Sequence, residues 1–127
     1  MSYSKKNLQE VEDQAPGAGM ADSQEAHFAH GELGAEETGL SYQVLRPNKR
    51  QAFGHRHNQA EEIYVVLSGS GSVRLDDAVV ELEPMDAIRV GPQVARGFEA
   101  GPDGLEILAF GPRHAGDAEV LQDFWGD

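Results

Sequence analysis

Cysteine is absent from the chain of 127 residues. Disulfide bonds, thiolate metal ligands and a cysteine nucleophile are therefore excluded. Long apolar runs are missing as well: the longest covers residues 63–67, far short of the roughly 20 residues that a membrane helix needs. The polar N-terminal residues contain no apolar segment of a signal peptide. We expect a soluble, cytoplasmic protein with no membrane partner.

Positive charge is also scarce, because 10 Lys and Arg residues face 22 Asp and Glu residues, which gives a formal charge of −12. A polyanion repels phosphate backbones, so we expect no nucleic-acid partner. One stretch differs: residues 46–57 contain Arg46, Lys49, Arg50 and Arg56 and no acid. Two interpretations stay open for this stretch, a solvated basic turn on an acidic surface or an attractor for an anionic ligand.

The chain length favours one domain with a real hydrophobic core. Residues 1–24 contain Pro16, Gly17 and Gly19 among polar and acidic residues and show no sustained period. This composition predicts an extended or mobile N-terminal arm, with one short helical turn at residues 8–11. We predict a single folded domain over residues 25–127.

Short apolar segments separated by turn residues predict strands throughout that domain. The predicted strands are residues 26–33, 40–45, 61–67, 72–75, 79–82, 87–90, 96–100 and 105–110. Many short strands at even spacing, with no 3.6-residue period, favour an all-β sandwich or barrel. The tail at residues 118–125 is predicted to form a short helix that packs Leu121, Phe124 and Trp125 on the barrel.

Segment 61–67 is apolar on both faces of the predicted strand, since Ile63, Val65 and Leu67 alternate with Tyr64 and Val66. A strand buried on both faces is central in its sheet or is covered by a second layer or a partner subunit. The pattern therefore supports a homodimer as a hypothesis.

Two histidines and a glutamate form the constellation with the clearest chemistry. His55 and His57 are separated by one residue, so they project to the same side of a strand. Glu62 follows after a turn, at the start of the next strand. Two imidazoles and a carboxylate on one face suit a divalent Mn, Fe, Co, Ni or Zn ion. Tyr64 shares the strand parity of Glu62 and is a candidate ligand-binding residue in the same pocket.

The spacing of these residues resembles the first cupin motif, in which Gly precedes His-x-His, Glu and a second Gly. His55, His57, Glu62 and Gly69 match its positions, and Lys49 stands in place of the opening glycine. The similarity extends over about residues 40–110. It implies an all-β, cupin-type jelly-roll β-barrel with an extended N-terminal arm and a short C-terminal tail or helix. It also implies that the matching side chains line the barrel interior.

The second cupin motif is not conserved in its residue types. Its positions fall on Met85, Gly91, Gln93, Arg96 and Ala100, and none of them matches. The fourth metal ligand of the motif, a histidine, is replaced by arginine. Arginine cannot ligate a metal, because its guanidinium stays protonated and has only hydrogen-bond donors.

Three alternatives follow for Arg96. In the first, it pairs with Glu62 in a metal-free barrel, and the protein has a structural or interaction role. In the second, it faces away, and His55, His57, Glu62 and water hold the ion. In the third alternative Arg96 binds the carboxylate or phosphate of a substrate, with or without metal.

The resemblance implies a range of functions rather than one, because cupins include oxygenases, decarboxylases, isomerases, epimerases, storage proteins and ligand sensors. We favour a small barrel that binds a divalent metal, a small anionic organic ligand, or both, with Arg96 and Tyr64 as ligand-binding residues. The alternatives are a metal-dependent oxygenase or isomerase/epimerase, and a metal-free structural cupin.

Overall fold

A computed structural model describes residues 2–126 of the chain. Within that range there are eight strands, one short α-helix (α1, His30–Leu33) and two 3-10 helices, Leu8–Glu10 and Pro16–Ala18. No helix in the described range is long and apolar enough to cross a bilayer. The strands are β1 (Gln24–Phe28), β2 (Thr38–Leu45), β3 (Gly54–His57), β4 (Glu62–Leu75), β5 (Ala78–Leu82), β6 (Ala87–Val90), β7 (Arg96–Pro112) and β8 (Ala118–Leu121).

All strand pairs are antiparallel and join into one curled sheet of eight strands. The order β1-β2-β7-β3-β8 forms one side, while β4 pairs with β5, β6 and β7. Strand β7 is 17 residues long and pairs with β2, β3 and β4, so it connects the two sides. The predicted all-β jelly-roll barrel is confirmed.

The two longest strands were each predicted as two shorter ones. Strand β4 runs through the predicted break at Gly69 and Gly71, and β7 runs through the one at residues 101–104. Register shifts in β4 mark β-bulges at this place. A Cβ on Gly69 would lie 2.1 Å from the Gly104 carbonyl oxygen, and Gly69 has a φ of 89°. These glycines therefore allow a bend and a close strand approach without ending the strand.

The predicted strand at residues 26–33 is wrong in its second half. Strand β1 ends at Phe28, where its pairing with β2 stops at Ser41, and helix α1 follows. Gly34, with a φ of 72°, caps this helix and donates its amide hydrogen to the carbonyl oxygens of His30 and Gly31. A glycine in this left-handed conformation is a common helix terminator.

The predicted C-terminal helix is also wrong, because residues Ala118–Leu121 form strand β8. This strand pairs along the full length of β3, from Gly54 opposite Leu121 to His57 opposite Ala118. The backbone groups at the edge of β3 thus form hydrogen bonds with β8. A helix in place of β8 would leave these groups of β3 without partners. The turn that follows buries Phe124 against Gly54, where a Cβ would lie 2.3 Å from the Phe124 ring.

The N-terminal segment packs against strand β1, where Asp13 forms a β-bridge with His27 and the Gln14 amide donates to the Ala26 carbonyl oxygen. The 3-10 helix at Leu8–Glu10 agrees with the predicted helical turn, and Val11 and Ala15 are buried. Asp13 Oδ1 accepts hydrogen bonds from the backbone amides of Ala15 and Ala26 at 3.0 and 2.8 Å. The domain boundary at residue 24 stays a prediction.

The hydrophobic core lies between the two sides of the barrel. It includes Tyr64, whose hydroxyl donates a hydrogen bond to Glu62. Tyr64 and Val66 of β4 point inward and are buried, whereas Ile63 and Leu67 point outward and are 37% and 41% exposed. The homodimer expected from this outward row stays a prediction. The other buried core side chains are Leu45, Val73, Leu82, Val90, Phe98, Ala100, Leu105, Ile107 and Ala109.

The core position of Ile107 predicts a measurable loss of stability on a minimal truncation. Ile107 has 0% exposure, so Ile107→Val should lower the free energy of unfolding by about 1 kcal/mol. The matched change Ile63→Val on the outward face should cost clearly less, under about 0.5 kcal/mol. Urea unfolding of both variants measures the difference, and equal losses would contradict the described inward and outward faces.

Candidate metal centre

Strands β3 and β4 bring the three predicted ligands together. His55 and His57 occupy one face of β3, while Arg56 between them points outward and pairs with Glu119 at 2.9 Å. Glu62 is the first residue of β4 and lies across from them. One ligand atom from each of the three residues lies within 4.8 Å of the other two.

The separations between ligand atoms fit a single ion. His57 Nε2 lies 3.1 Å and His55 Nε2 lies 3.4 Å from Glu62 Oε1. Ligands at about 2.1 Å from a metal are about 3.0 Å apart in adjacent octahedral positions and about 3.4 Å apart in a tetrahedron. Both nitrogen–oxygen distances are close to these values, which are also the distances of hydrogen bonds between the rings and the carboxylate.

Glu62 is an anion at neutral pH. Its Oε1 also accepts a hydrogen bond from the Tyr64 hydroxyl at 2.6 Å. Burial raises the pKa of Glu62, but hydrogen bonds from His55 and Tyr64 and the nearby histidines outweigh it and bring the pKa to about 2. Burial raises the pKa of Tyr64 well above its ordinary value, so its hydroxyl stays a donor. The carboxylate is therefore available as a charged metal ligand.

Asp117 contacts His57 from the other side of the ring. Its Oδ2 lies 3.2 Å from His57 Nδ1, and its side chain is only 5% exposed. It also accepts hydrogen bonds from the backbone amides of Gln59 and Ala60, both at 3.0 Å. Sequence reasoning missed this residue, because its position depends on the pairing of β8 with β3, a segment predicted as helix.

The sequence profile of the Cupin domain matches residues 41–110, more than half of the chain. The chain belongs to the cupin family. The matched region contains the whole His55, His57 and Glu62 set, strand β4, and all but the last two residues of β7. The family predicted from the first motif is thus confirmed.

Known proteins similar to this cupin include one curated relative of uncharacterized function from Methanocaldococcus jannaschii. It is 34% identical over 71 residues, which cover 54% of this chain and 57% of the relative. The match thus spans only a little more than half of the relative.

Solved cupin-like structures cover almost the whole chain. A cupin protein from Bacteroides fragilis is 24% identical, with a TM-score of 0.71 over 91% of this chain and 88% of its own. The polyketide cyclase RemF from Streptomyces resistomycificus is 18% identical, with a TM-score of 0.77 over 97% of this chain and 92% of its own. Identities this low show a shared fold and nothing more.

Arg96 lies behind the carboxylate of this cupin's ligand set. It starts β7 directly opposite His55 and is completely buried. Its Nη2 donates to the Gly91 carbonyl oxygen at 2.8 Å, and its Nη1 lies 3.8 Å from Glu62 Oε1. Nε and Nη1 are buried and have no hydrogen-bond partner among residues 2–126. The guanidinium thus faces Glu62 at a distance too long for a hydrogen bond.

Two cavities adjoin the ligand set. The inner one has a volume of about 330 Å³ and is lined by His55, His57, Glu62 and Tyr64. The second, about 500 Å³, opens at the barrel mouth and shares His57 and Glu62 with it. Arg96 lines neither cavity, so its contact with an anionic ligand stays a prediction, as does a ligand contact by Tyr64.

The inner cavity combines apolar walls with side-chain amides. Its apolar lining includes Phe28, Phe53 and Val120. The amides of Gln24, Gln43 and Gln51 line it as well, and Gln51 Nε2 donates to Gln24 Oε1 at 3.2 Å and to Gln43 Oε1 at 3.0 Å. Sequence analysis missed these glutamines, because no local pattern distinguishes an amide inside a barrel from one on its surface.

The basic side chains of the stretch 46–57 lie at the surface rather than around the ligand set. Arg46 donates to the Ala21 carbonyl oxygen, Arg50 pairs with Glu99, and Arg56 pairs with Glu119. None of these three arginines lines either cavity beside His57. These contacts favour the interpretation as a surface turn.

Proposed function

We propose that this cupin binds one divalent transition-metal ion through His55 Nε2, His57 Nε2 and Glu62 Oε1. The convergence of these three atoms at 3.1 and 3.4 Å supports the proposal. Mixed nitrogen and oxygen ligands suit Mn, Fe, Co, Ni or Zn, with water in the remaining positions. A bound ion would act as a Lewis acid that orients and polarises an oxygen atom of the ligand.

The second part of the proposal is a small anionic organic ligand in the inner cavity. Glu62 neutralises only half of a divalent charge, and the guanidinium of Arg96 adds a positive charge 3.8 Å behind the carboxylate. The local potential therefore favours an anionic oxygen donor in spite of the acidic surface. The apolar walls exclude water from the rest of the ligand, and Tyr64 keeps its hydrogen bond on Glu62.

Catalysis at the same ion is the alternative to binding alone. A metal-dependent oxygenase or an isomerase/epimerase would use the same three ligands. Proteins of similar fold include enzymes, for example the polyketide cyclase, a sugar phosphate isomerase and an oxalate decarboxylase, which supports a catalytic role as the alternative. Screening oxygenase and isomerase substrates with metal-loaded protein distinguishes turnover from binding.

The metal proposal is tested by titrating chelator-treated protein with Mn²⁺, Ni²⁺ or Zn²⁺ in a calorimeter. We expect binding of about one ion per chain, with Mg²⁺ much weaker because it prefers oxygen ligands. If none of the transition metals binds at millimolar concentration, the metal site is refuted. The metal-free cupin with facing Glu62 and Arg96 charges would then be favoured.

A further inference from the structure

Asp117 directly precedes strand β8. Its carboxylate contacts His57 on β3 but is not one of the three proposed metal ligands. It accepts three hydrogen bonds, one from His57 Nδ1 at 3.2 Å and one each from the amides of Gln59 and Ala60 at 3.0 Å. The Asp117 carbonyl oxygen accepts a fourth from the Asn58 amide at 3.1 Å. Asp117 thus binds three of the four residues that connect β3 to β4, between His57 and Glu62.

The contact with Asp117 bears on which ring nitrogen of His57 carries a proton. A carboxylate oxygen without a proton only accepts hydrogen bonds, so a hydrogen bond from the ring to Asp117 Oδ2 needs a proton on Nδ1. In the neutral ring the lone pair then lies on Nε2, which is 3.1 Å from Glu62 Oε1. A lone pair facing a carboxylate oxygen at this distance requires a cation or a second proton between them. This arrangement prepares Nε2 for a metal ion.

We infer that Asp117 is a positioning residue for the metal centre, which fixes the Nδ1–H tautomer and the ring orientation of His57. The inference rests on the proposed metal site. It makes metal affinity depend on the C-terminal strand, which contributes none of the three ligands. Partners of this kind typically change metal affinity 10- to 100-fold when they are lost.

The test compares Asp117→Asn with Asp13→Asn. Asp13 likewise accepts two backbone amides through its side chain, those of Ala15 and Ala26, but it belongs to the N-terminal segment and is not in the ligand set. An asparagine at 117 that turns its NH₂ group toward Nδ1 permits the Nε2–H tautomer, in which Nε2 cannot ligate, and gives up the hydrogen bond from the Ala60 amide. We expect Zn²⁺ affinity to fall at least about tenfold in Asp117→Asn and to stay unchanged in Asp13→Asn.

The second readout is the tautomer of His57 by ¹⁵N NMR in metal-free protein at pH 8. We expect the proton on Nδ1 in the unsubstituted chain and a shift toward Nε2–H in Asp117→Asn. An Nε2–H tautomer in the unsubstituted chain overturns the inference without any variant, as do equal losses of zinc affinity in the two variants. If zinc does not bind but the tautomer changes as expected, the metal proposal fails and the role of Asp117 in orienting His57 stands.

Discussion

The change His57→Ala is expected to weaken metal binding by about 100- to 1000-fold, because it removes one of three protein ligands. Structural zinc sites with four ligands bind with about 10–16 kcal/mol, which corresponds to about 2.5–4 kcal/mol for each ligand. Only His55 and Glu62 would remain, and two protein ligands rarely hold a divalent ion against buffer. Calorimetric titration with Zn²⁺ or Ni²⁺ measures the loss.

The matched control is His114→Ala. His114 is exposed and lines the cavity of about 500 Å³, but it does not belong to the three-ligand set. We expect its removal to leave metal affinity unchanged and both variants to keep the circular dichroism of a β-protein. Equal weakening in both variants would show that the ligand set is assigned wrongly, and an unchanged His57→Ala would refute it.

The change Arg96→His is expected to strengthen metal binding by up to about 100-fold, from one added ligand and one removed positive charge. Residue 96 lies directly opposite His55 on the neighbouring strand. Opposite residues in an antiparallel pair project to the same side of the sheet. An imidazole at this position would therefore face the proposed ion beside His55 and Glu62.

A second variant, Arg96→Met, separates the effect of the removed charge on metal affinity from the effect of the added ligand. It removes the guanidinium and adds no ligand. We expect the metal affinities to rise in the order Arg, Met, His at position 96. Equal affinities in all three proteins would mean that the guanidinium exerts no field on the ion and that residue 96 does not point at it. Equal gains in Arg96→Met and Arg96→His would place the effect entirely in the charge.

The proximity of the three proposed ligands was predictable because it depends on short-range periodicity. His55 and His57 share a face from strand geometry alone, and Glu62 follows within one connection. The resemblance to the cupin motif predicted the β-barrel that surrounds these residues. The substitution of Arg96 was visible in the sequence, but its distance and burial required the register of β3 against β7.

The residues that were missed depend on contacts between distant parts of the chain. Asp117 reaches His57 only because β8 pairs with β3, and the sequence of this tail was equally compatible with a helix. The predicted strands 61–67 and 72–75 leave Gly69 and Gly71 in a turn, because local propensity does not distinguish a turn from a bulge inside a long strand. Tertiary pairing decided both cases.

The central claim is that His55, His57 and Glu62 hold a metal ion. The most direct test is elemental analysis by mass spectrometry of untagged protein, purified without chelators or an immobilised-metal column. The proposed site predicts about one equivalent of a transition metal per chain. Protein that stays metal-free after incubation with manganese, iron, nickel and zinc would contradict it, and would favour a cupin in which Arg96 alone balances the charge of Glu62.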